Sequence, residues 1–180
     1  MTLKMVVTVG SDSHPFDRLV EAVDEWLVGA GFDVEAVVQF GTSTPPGHPE
    51  HWSAARAYLP FSELQEQLAR ADVIVTQGGP TGISEARRLG TRPIVMPRTP
   101  KHGEHVDGHQ VAFCKHLAHE GDIILTETAS DLHRALDAAA ESCHQLRLDG
   151  VAGTSPSEVV GRFEQLVGGL GLTWPSRRRG

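Results

Sequence analysis

Apolar residues along the chain change their spacing several times, and each change marks an element. Residues 5–9 form a short apolar run that reads as a first strand, closed by a turn at residues 10–14. Phe16, Leu19, Val20, Val23 and Leu27 then recur at helical spacing, and Gly29 and Gly31 end that helix. Residues 34–39 read as a second strand and residues 56–59 as a brief third one. A short helix over residues 61–69 follows, with Phe61, Leu64 and Leu68 expected to face inward. Val73, Ile74 and Val75 form a β-branched run, the mark of a strand buried on both faces. Three glycines, Gly78, Gly79 and Gly82, come next, and a helix is expected to start near Thr81. Residues 93–96 give a fifth strand, residues 107–119 a helix, and residues 123–125 a sixth strand.

Two helices close the pattern. The first carries Leu132, Leu136, Ala139, Cys143 and Leu146 on one face, with Thr128 and Asp131 spaced as an N-terminal cap and its acidic partner. The second opens on Ser155-Pro156-Ser157-Glu158, a capping box with proline at the first helical position. Its stripe is Val159, Val160, Phe163, Leu166, Val167 and Leu170, and residues 150–154 connect the two helices. Strands alternating with helices predict an α/β fold: a single Rossmann-like domain whose parallel sheet has helices on both faces. Residues 1–150 form its body. Residues 151–180 add an amphipathic helix and a basic tail to the same domain.

Composition narrows the function classes. The chain has 180 residues and a formal net charge of −7, which suits one domain and argues against nucleic acid as a partner. The arginine run at residues 177–179 reads as a solvated tail. The two cysteines, Cys114 and Cys143, fall in helical apolar patterns and read as buried thiols in a reducing compartment. No signal peptide or membrane span is visible, so a cytoplasmic protein is expected.

Candidate chemistry gathers where the strands end. The glycine turn lies between a buried strand and a helix start, where backbone N–H groups attract anions and glycine lets a phosphate approach. It matches neither the G-x-G-x-x-G dinucleotide pattern nor a P-loop, and a turn built for packing alone is the competing reading. Gly10 and Ser11 could reach a phosphate through the backbone. Glu85, one turn into the next helix, could reach a ribose diol or could simply face solvent. His14 could touch phosphate, act as a base or cap a turn. Residues 102–110 hold His102, His105 and His109 with Glu104 and Asp107 between them. Their spacing admits a metal site, and hence a metal-dependent hydrolase, as well as a sugar-binding loop. A nucleotide-sugar sensor without turnover is a further alternative. The long loop over residues 41–53 is also a candidate for function.

Four segments taken in order resemble the donor-binding C-terminal half of GT-B glycosyltransferases of family 28, in particular small Alg13-like and PssE/EpsE-like subunits. They are VVTVG…PFDRL from Val6 to Leu19, the stretch from Tyr58 to Leu64, GGPTGISEA, and GEHVDGHQ. The resemblance implies binding of a UDP-sugar without a cofactor or bound metal. By this resemblance the nucleotide is held by Gly10, Ser11, Phe61, Gly78, Gly79, Thr81, Gly82 and Glu85. The sugar is held by Glu104, His105, Asp107, His109 and Gln110. It also implies hexosyl transfer to a lipid-linked acceptor, with a membrane-anchored, Alg14-like subunit supplying the acceptor site and recruiting the chain to the inner face of the membrane. The catalytic base stays unassigned, with His14 the candidate in this chain, and a homo-oligomer stays open.

Overall fold

The computed structural model describes residues 2–148. Six strands form one parallel sheet: β1 (Leu3–Thr8), β2 (Val34–Gln39), β3 (Ala54–Arg56), β4 (Val73–Gln77), β5 (Ile94–Met96) and β6 (Ile124–Leu125). Their order across the sheet is β3-β2-β1-β4-β5-β6. The chain therefore runs outward from β1 in one direction, crosses back, and runs outward from β4 in the other. Parallel connections are right-handed, so the two directions put helices on opposite faces. The α/β fold expected from the pattern is the one observed.

Alternation along the strands decides which face each residue covers. Met5, Val7, Val73, Val75, Ile94 and Met96 point to one face. There they meet α1 (Asp17–Gly29) and α5 (Ala129–Glu141). Val6, Ile74 and Val95 point to the other, under α2 (Phe61–Arg70), α3 (Pro80–Arg88) and α4 (His109–His119). With both faces covered, the strands can be apolar throughout, as Val73–Val75 are. Each fully buried aliphatic side chain in such a core contributes roughly 1.5–3 kcal/mol.

Several boundaries differ from those the sequence predicts, each for a local reason. The third strand lies over Ala54–Arg56, where it pairs with Val37, Val38 and Gln39. Beyond that point the Gln39 side-chain oxygen accepts the Leu59 amide at 3.0 Å, which frees Tyr58 and Leu59 from the sheet. Phe61 does not face inward: it starts α2 at the sheet's end and is 77% exposed. The fourth helix starts at His109 because Asp107 folds back to accept the His109 amide at 3.0 Å. The fifth helix ends at Glu141, and a 3-10 turn over Cys143–Leu146 carries Leu146 into the core. It must end there because residues 146–148 bond backbone to backbone with residues 90–92. The predicted cap is present as a reciprocal Thr128–Asp131 box. Cys114 is buried, and burial pushes its thiol up to about 12, so it is inert. Cys143 is only half-buried. The predicted connector at residues 150–154, the last helix and the arginine run lie outside the described residues.

The loop over residues 41–53 is held against α1. Asp24, buried in that helix, accepts the Trp52 indole at 2.7 Å, the Gly47 and His48 amides, and the His48 ring at 2.8 Å. Burial alone would raise the Asp24 carboxyl, but the donors from Trp52 and His48 outweigh it and hold it below the usual carboxylate range. A group depressed in the folded state stabilises the fold above its unfolded pKa, about 3.9, and loses that contribution as pH falls through the folded value. Asp24→Asn is therefore expected to lose about 1–3 kcal/mol at neutral pH in urea denaturation. The gap to the native protein should narrow below about pH 4. A gap that stays constant into acid would contradict the assignment.

Candidate functional site

The sheet order reverses between β1 and β4, and the chains leaving the two strands diverge there, opening a crevice beyond their carboxyl ends. The crevice has a volume of about 720 Å3, within the range that small-molecule sites occupy. Its floor is polar at the strand ends, with Thr8, Gln39, Thr76 and Gln77. One wall is apolar: Tyr58, Leu59, Phe61, Leu64 and Leu68. Tyr58 is 53% exposed, so the two aromatic rings at positions 58 and 61 present open surface there. The opposite wall is the loop Gly10-Ser11-Asp12 and the start of α3.

That helix start leaves backbone amides without helical acceptors. Gly79 is its N-cap and offers no side-chain acceptor, and Pro80 has no N–H to satisfy. The amides of Thr81 and Gly82 stand at the next two positions, where a helix supplies no acceptor of its own. Both residues line the crevice. Glycine is required here by close approach: a Cβ on Gly82 would lie 2.7 Å from the Thr76 hydroxyl, so any side chain would push α3 off β4. Gly10 is required twice over, by its φ of +77° and by the Gln77 side chain, 2.5 Å from where its Cβ would be. Its amide donates to the Thr8 hydroxyl at 3.2 Å, so Gly10 offers close approach more than a free donor.

Glu85 also lines the crevice. Its carboxylate accepts from Arg88 at 3.0 Å, and the same guanidinium nitrogen donates to Gln65 of α2. This pairing fixes Glu85 one turn beyond the Thr81 and Gly82 amides. Gly79 faces the crevice too, whereas Gly78 packs against Cys114 and Gln110 behind it.

The residues of the polar loop divide. His105 and Gln110 line the crevice. Asp107 sits behind, between two histidines, with the Nδ1 atoms of His105 and His109 at 3.3 and 3.0 Å from its carboxylate. Glu104 is turned away: Arg18 grips both its oxygens, at 2.8 and 2.9 Å, and the Thr99 amide donates to one of them. His102 is exposed at the end of a 3-10 turn, and Gly103, at a φ of +70°, reverses the chain after it. The three histidines thus do not converge as their spacing admits. Among the described residues no three His, Cys, Asp or Glu side chains are arranged to hold a metal.

His14 stands beside the crevice. Its amide and its Nδ1 both meet Asp12 Oδ1, at 2.8 and 2.7 Å, and its ring lies 6.3 Å from that of His105. Burial would raise the Asp12 carboxyl, but the His14 amide and ring and the nearby Arg98 hold it below the usual range.

Arg98 is the residue that sequence reasoning misses. It is completely buried, just beyond β5, and joins the β1–α1 loop, the end of β4 and the polar loop before α4. It donates to Gln77 Oε1 at 2.9 Å, to the His14 carbonyl at 2.6 Å, and to the Val9, Pro15 and Glu104 carbonyls. Its own amide donates to Gln110 Oε1, and its guanidinium lies 4.8 Å from the Phe16 ring centre. Burial lowers its pKa, opposed by the charges of Asp12 and Glu104. A guanidinium stays protonated even so. Gln77, Gln39 and Thr76 also escape motif reading. Their signal is available, however: polar residues at the carboxyl ends of otherwise apolar strands.

Comparison with known proteins identifies the family and the fold. The sequence model of the glycosyltransferase family 28 C-terminal domain matches residues 4–148, and the chain belongs to that family. No curated protein sequence matches it. Solved structures that share its fold include these three. MurG of Acinetobacter baumannii has a TM-score of 0.58 at 17% identity, over 91% of this chain and 50% of that one. CalG4, the calicheamicin glycosyltransferase, has a TM-score of 0.57 at 16% identity, over 93% and 42%. The glycotransferase of kitacinnamycin has a TM-score of 0.53 at 21% identity, over 92% and 40%. The chain thus spans half or less of each, and the fold is that of the C-terminal half of GT-B glycosyltransferases. Among the described residues no helix is long and apolar enough to cross a membrane.

Replacing Arg98 tests its role in holding the site together. Arg98→Met takes the guanidinium donor from the Val9, His14, Pro15 and Glu104 carbonyls and from the Gln77 side chain and is expected to cost about 3–5 kcal/mol. Arg98→Lys should recover only part of this, because an ammonium lacks the planar fork. Urea denaturation of both variants measures it. A lysine variant as stable as the native protein would show that the fork geometry is not needed.

Proposed function

We propose that the chain is the donor-binding subunit of a two-component GT-B glycosyltransferase, holding a UDP-sugar for hexosyl transfer to a lipid-linked acceptor. One observation carries the reading. Thr81 and Gly82, at the start of α3, line the same crevice as Glu85 and an exposed aromatic wall, which supports seating a diphosphate, a ribose and a base in turn. The family membership supports it.

In this reading the base lies along the segment from Tyr58 to Leu64, with Phe61 against it. Glu85, held by Arg88, accepts from the ribose hydroxyls. The Thr81 and Gly82 amides and the helix dipole face the diphosphate, joined by Gly10, Ser11 and Gly79 through close backbone approach. These dipoles are fixed before the reaction, so they stabilise the negative charge that grows on the leaving diphosphate at little reorganisation cost. His105 and Gln110 reach the hexose, and Asp107 and His109 orient them from behind. Gly78 keeps the turn close to α4, and Glu104 holds the loop through Arg18. No cofactor takes part.

The acceptor needs a second wall. The chain spans half or less of the solved structures it matches, and the reading assigns the acceptor wall to a membrane-anchored, Alg14-like partner. That partner would bring the lipid-linked acceptor and the catalytic base. Holding base, acceptor and donor in one closed cleft is worth many orders of magnitude in rate.

The test has two parts. In calorimetry, Glu85→Ala should weaken UDP and UDP-hexose about ten- to a hundredfold, the size of one or two charge-assisted hydrogen bonds. Inorganic diphosphate should be affected far less; equal weakening of all three ligands would reject the ribose role. In a transfer assay to a lipid-linked sugar, the chain together with its anchored partner should turn over, and either alone should not. Robust turnover by the chain alone would refute the two-component reading.

A further inference from the structure

Among the described residues no lysine or arginine lines the crevice, while Asp12 and Glu85 bring carboxylates to it. The long cationic side chains that usually meet a diphosphate are thus missing from its surface. Besides the amides at the start of α3, the crevice offers the side-chain amides of Gln39, Gln65, Gln77 and Gln110. Two of these are spent within the protein. Gln39 accepts the Leu59 amide and donates to Thr8. Gln110 accepts the Arg98 amide and donates to Gln77 Oε1 at 3.3 Å. Gln65, on α2 beside the apolar wall, accepts from Arg88.

Gln77 differs at both ends of its amide. Its Oε1 accepts from Arg98 Nε at 2.9 Å and from Gln110 Nε2. A guanidinium can only donate, so the atom that faces it is the oxygen and the sense of the amide is fixed. Nε2 therefore points the other way. It lies 2.5 Å from where a Cβ on Gly10 would stand and 2.8 Å from where one on Gly79 would stand. Gly10, Gly79 and Gln77 all line the crevice. Among the described residues no acceptor meets Nε2, and it is not one of the buried atoms left without a partner, so it opens on the crevice. The two glycines leave bare a donor that a side chain at either position would cover. With Arg98 holding Oε1, the amide cannot swing aside.

We propose that Gln77 donates from Nε2 to the diphosphate, and that Arg98 is the positioning residue that holds the amide in that sense. This rests on the nucleotide-sugar reading above and adds to that site a binding residue and its support. The guanidinium does not reach the ligand itself, because its nitrogens donate to Gln77 and to the Val9, His14, Pro15 and Glu104 carbonyls. Its charge acts through Gln77. A cation on Oε1 polarises the amide and strengthens the donor at Nε2. A positive charge thus stands behind the anion without being exposed to it.

The experiment is calorimetric titration of the native chain, Gln77→Glu and Arg98→Lys with UDP and with uridine, which lacks the diphosphate. Gln77→Glu separates the two ends of the amide: a carboxylate still accepts from Arg98 but offers the ligand no donor. Its urea midpoint should stay near the native one. Its affinity for UDP should fall at least about tenfold, the worth of a hydrogen bond to a charged group, while uridine binds as before. Arg98→Lys should also lower the ratio of UDP to uridine affinity, because an ammonium lacks the planar fork that fixes the amide. If Gln77→Glu does not fold, the side-chain amide signals of Gln77 in NMR of the labelled native chain decide. They should move with UDP and not with uridine. A folded Gln77→Glu that binds UDP as the native chain does, or native Gln77 signals unmoved by UDP, would overturn the donor. A folded Arg98→Lys that keeps the native ratio would overturn the positioning role. Binding of neither ligand by the native chain would instead defeat the nucleotide reading, and this proposal with it.

Discussion

A single buried cation holds the site in shape. Arg98 is wholly enclosed, and its hydrogen bonds tie the β1–α1 loop, the end of β4 and the polar loop before α4 to one point. These three segments are far apart in sequence, and Arg98 reaches all three from one buried point. Burying a guanidinium is costly unless all its donors are used. Here that cost works as a constraint: Arg98 can stay buried only while the three loops keep their positions. The carbonyls of Val9, His14 and Glu104 gain a donor in return, and the nearby carboxylates of Asp12 and Glu104 balance the charge.

The crevice itself follows from topology. Right-handed connections running outward from β1 and from β4 leave the ends of those two strands uncovered, and polar side chains at their ends, Thr8, Thr76 and Gln77, form a floor that strands buried elsewhere lack. Glycine then sets how near the walls come. At Gly82 the limit is the Thr76 hydroxyl, and at Gly10 it is the Gln77 amide. The glycine turn is therefore a packing device and a polar surface at once.

Much of this is legible in the sequence wherever the cause is local. The run Val73–Val75 reads as a strand because both its faces are buried, and the Thr128–Asp131 box forms because its partners are three residues apart. Glu85 and His105 lie on the crevice because strand ends and helix starts meet there. Arg98 is illegible for the opposite reason. Its acceptors lie as far as 89 residues away, and an arginine after a short strand looks the same whether buried or solvated. Phe61 misleads because helical spacing puts it on the face of Leu64 and Leu68, while its place at the first position of α2 leaves it without a neighbour above. His102, His105 and His109 mislead because spacing alone omits Asp107, which separates two of them, and the turn at Gly103, which carries off the third.

The central claim is that the crevice between β1 and β4, preset by Arg98, is where a nucleotide-sugar binds. Backbone amide shifts measured by NMR on the labelled chain during titration with UDP-hexose test it most directly, because they report position without requiring turnover. The account predicts that the largest changes fall on Ser11, Thr81 and Gly82, with smaller ones along residues 58–64. The groove at the far end of α1, around Trp26, Phe32 and His133, should stay unchanged. Saturable shifts centred on that groove, or scattered over the surface with Thr81 and Gly82 unmoved, would contradict it.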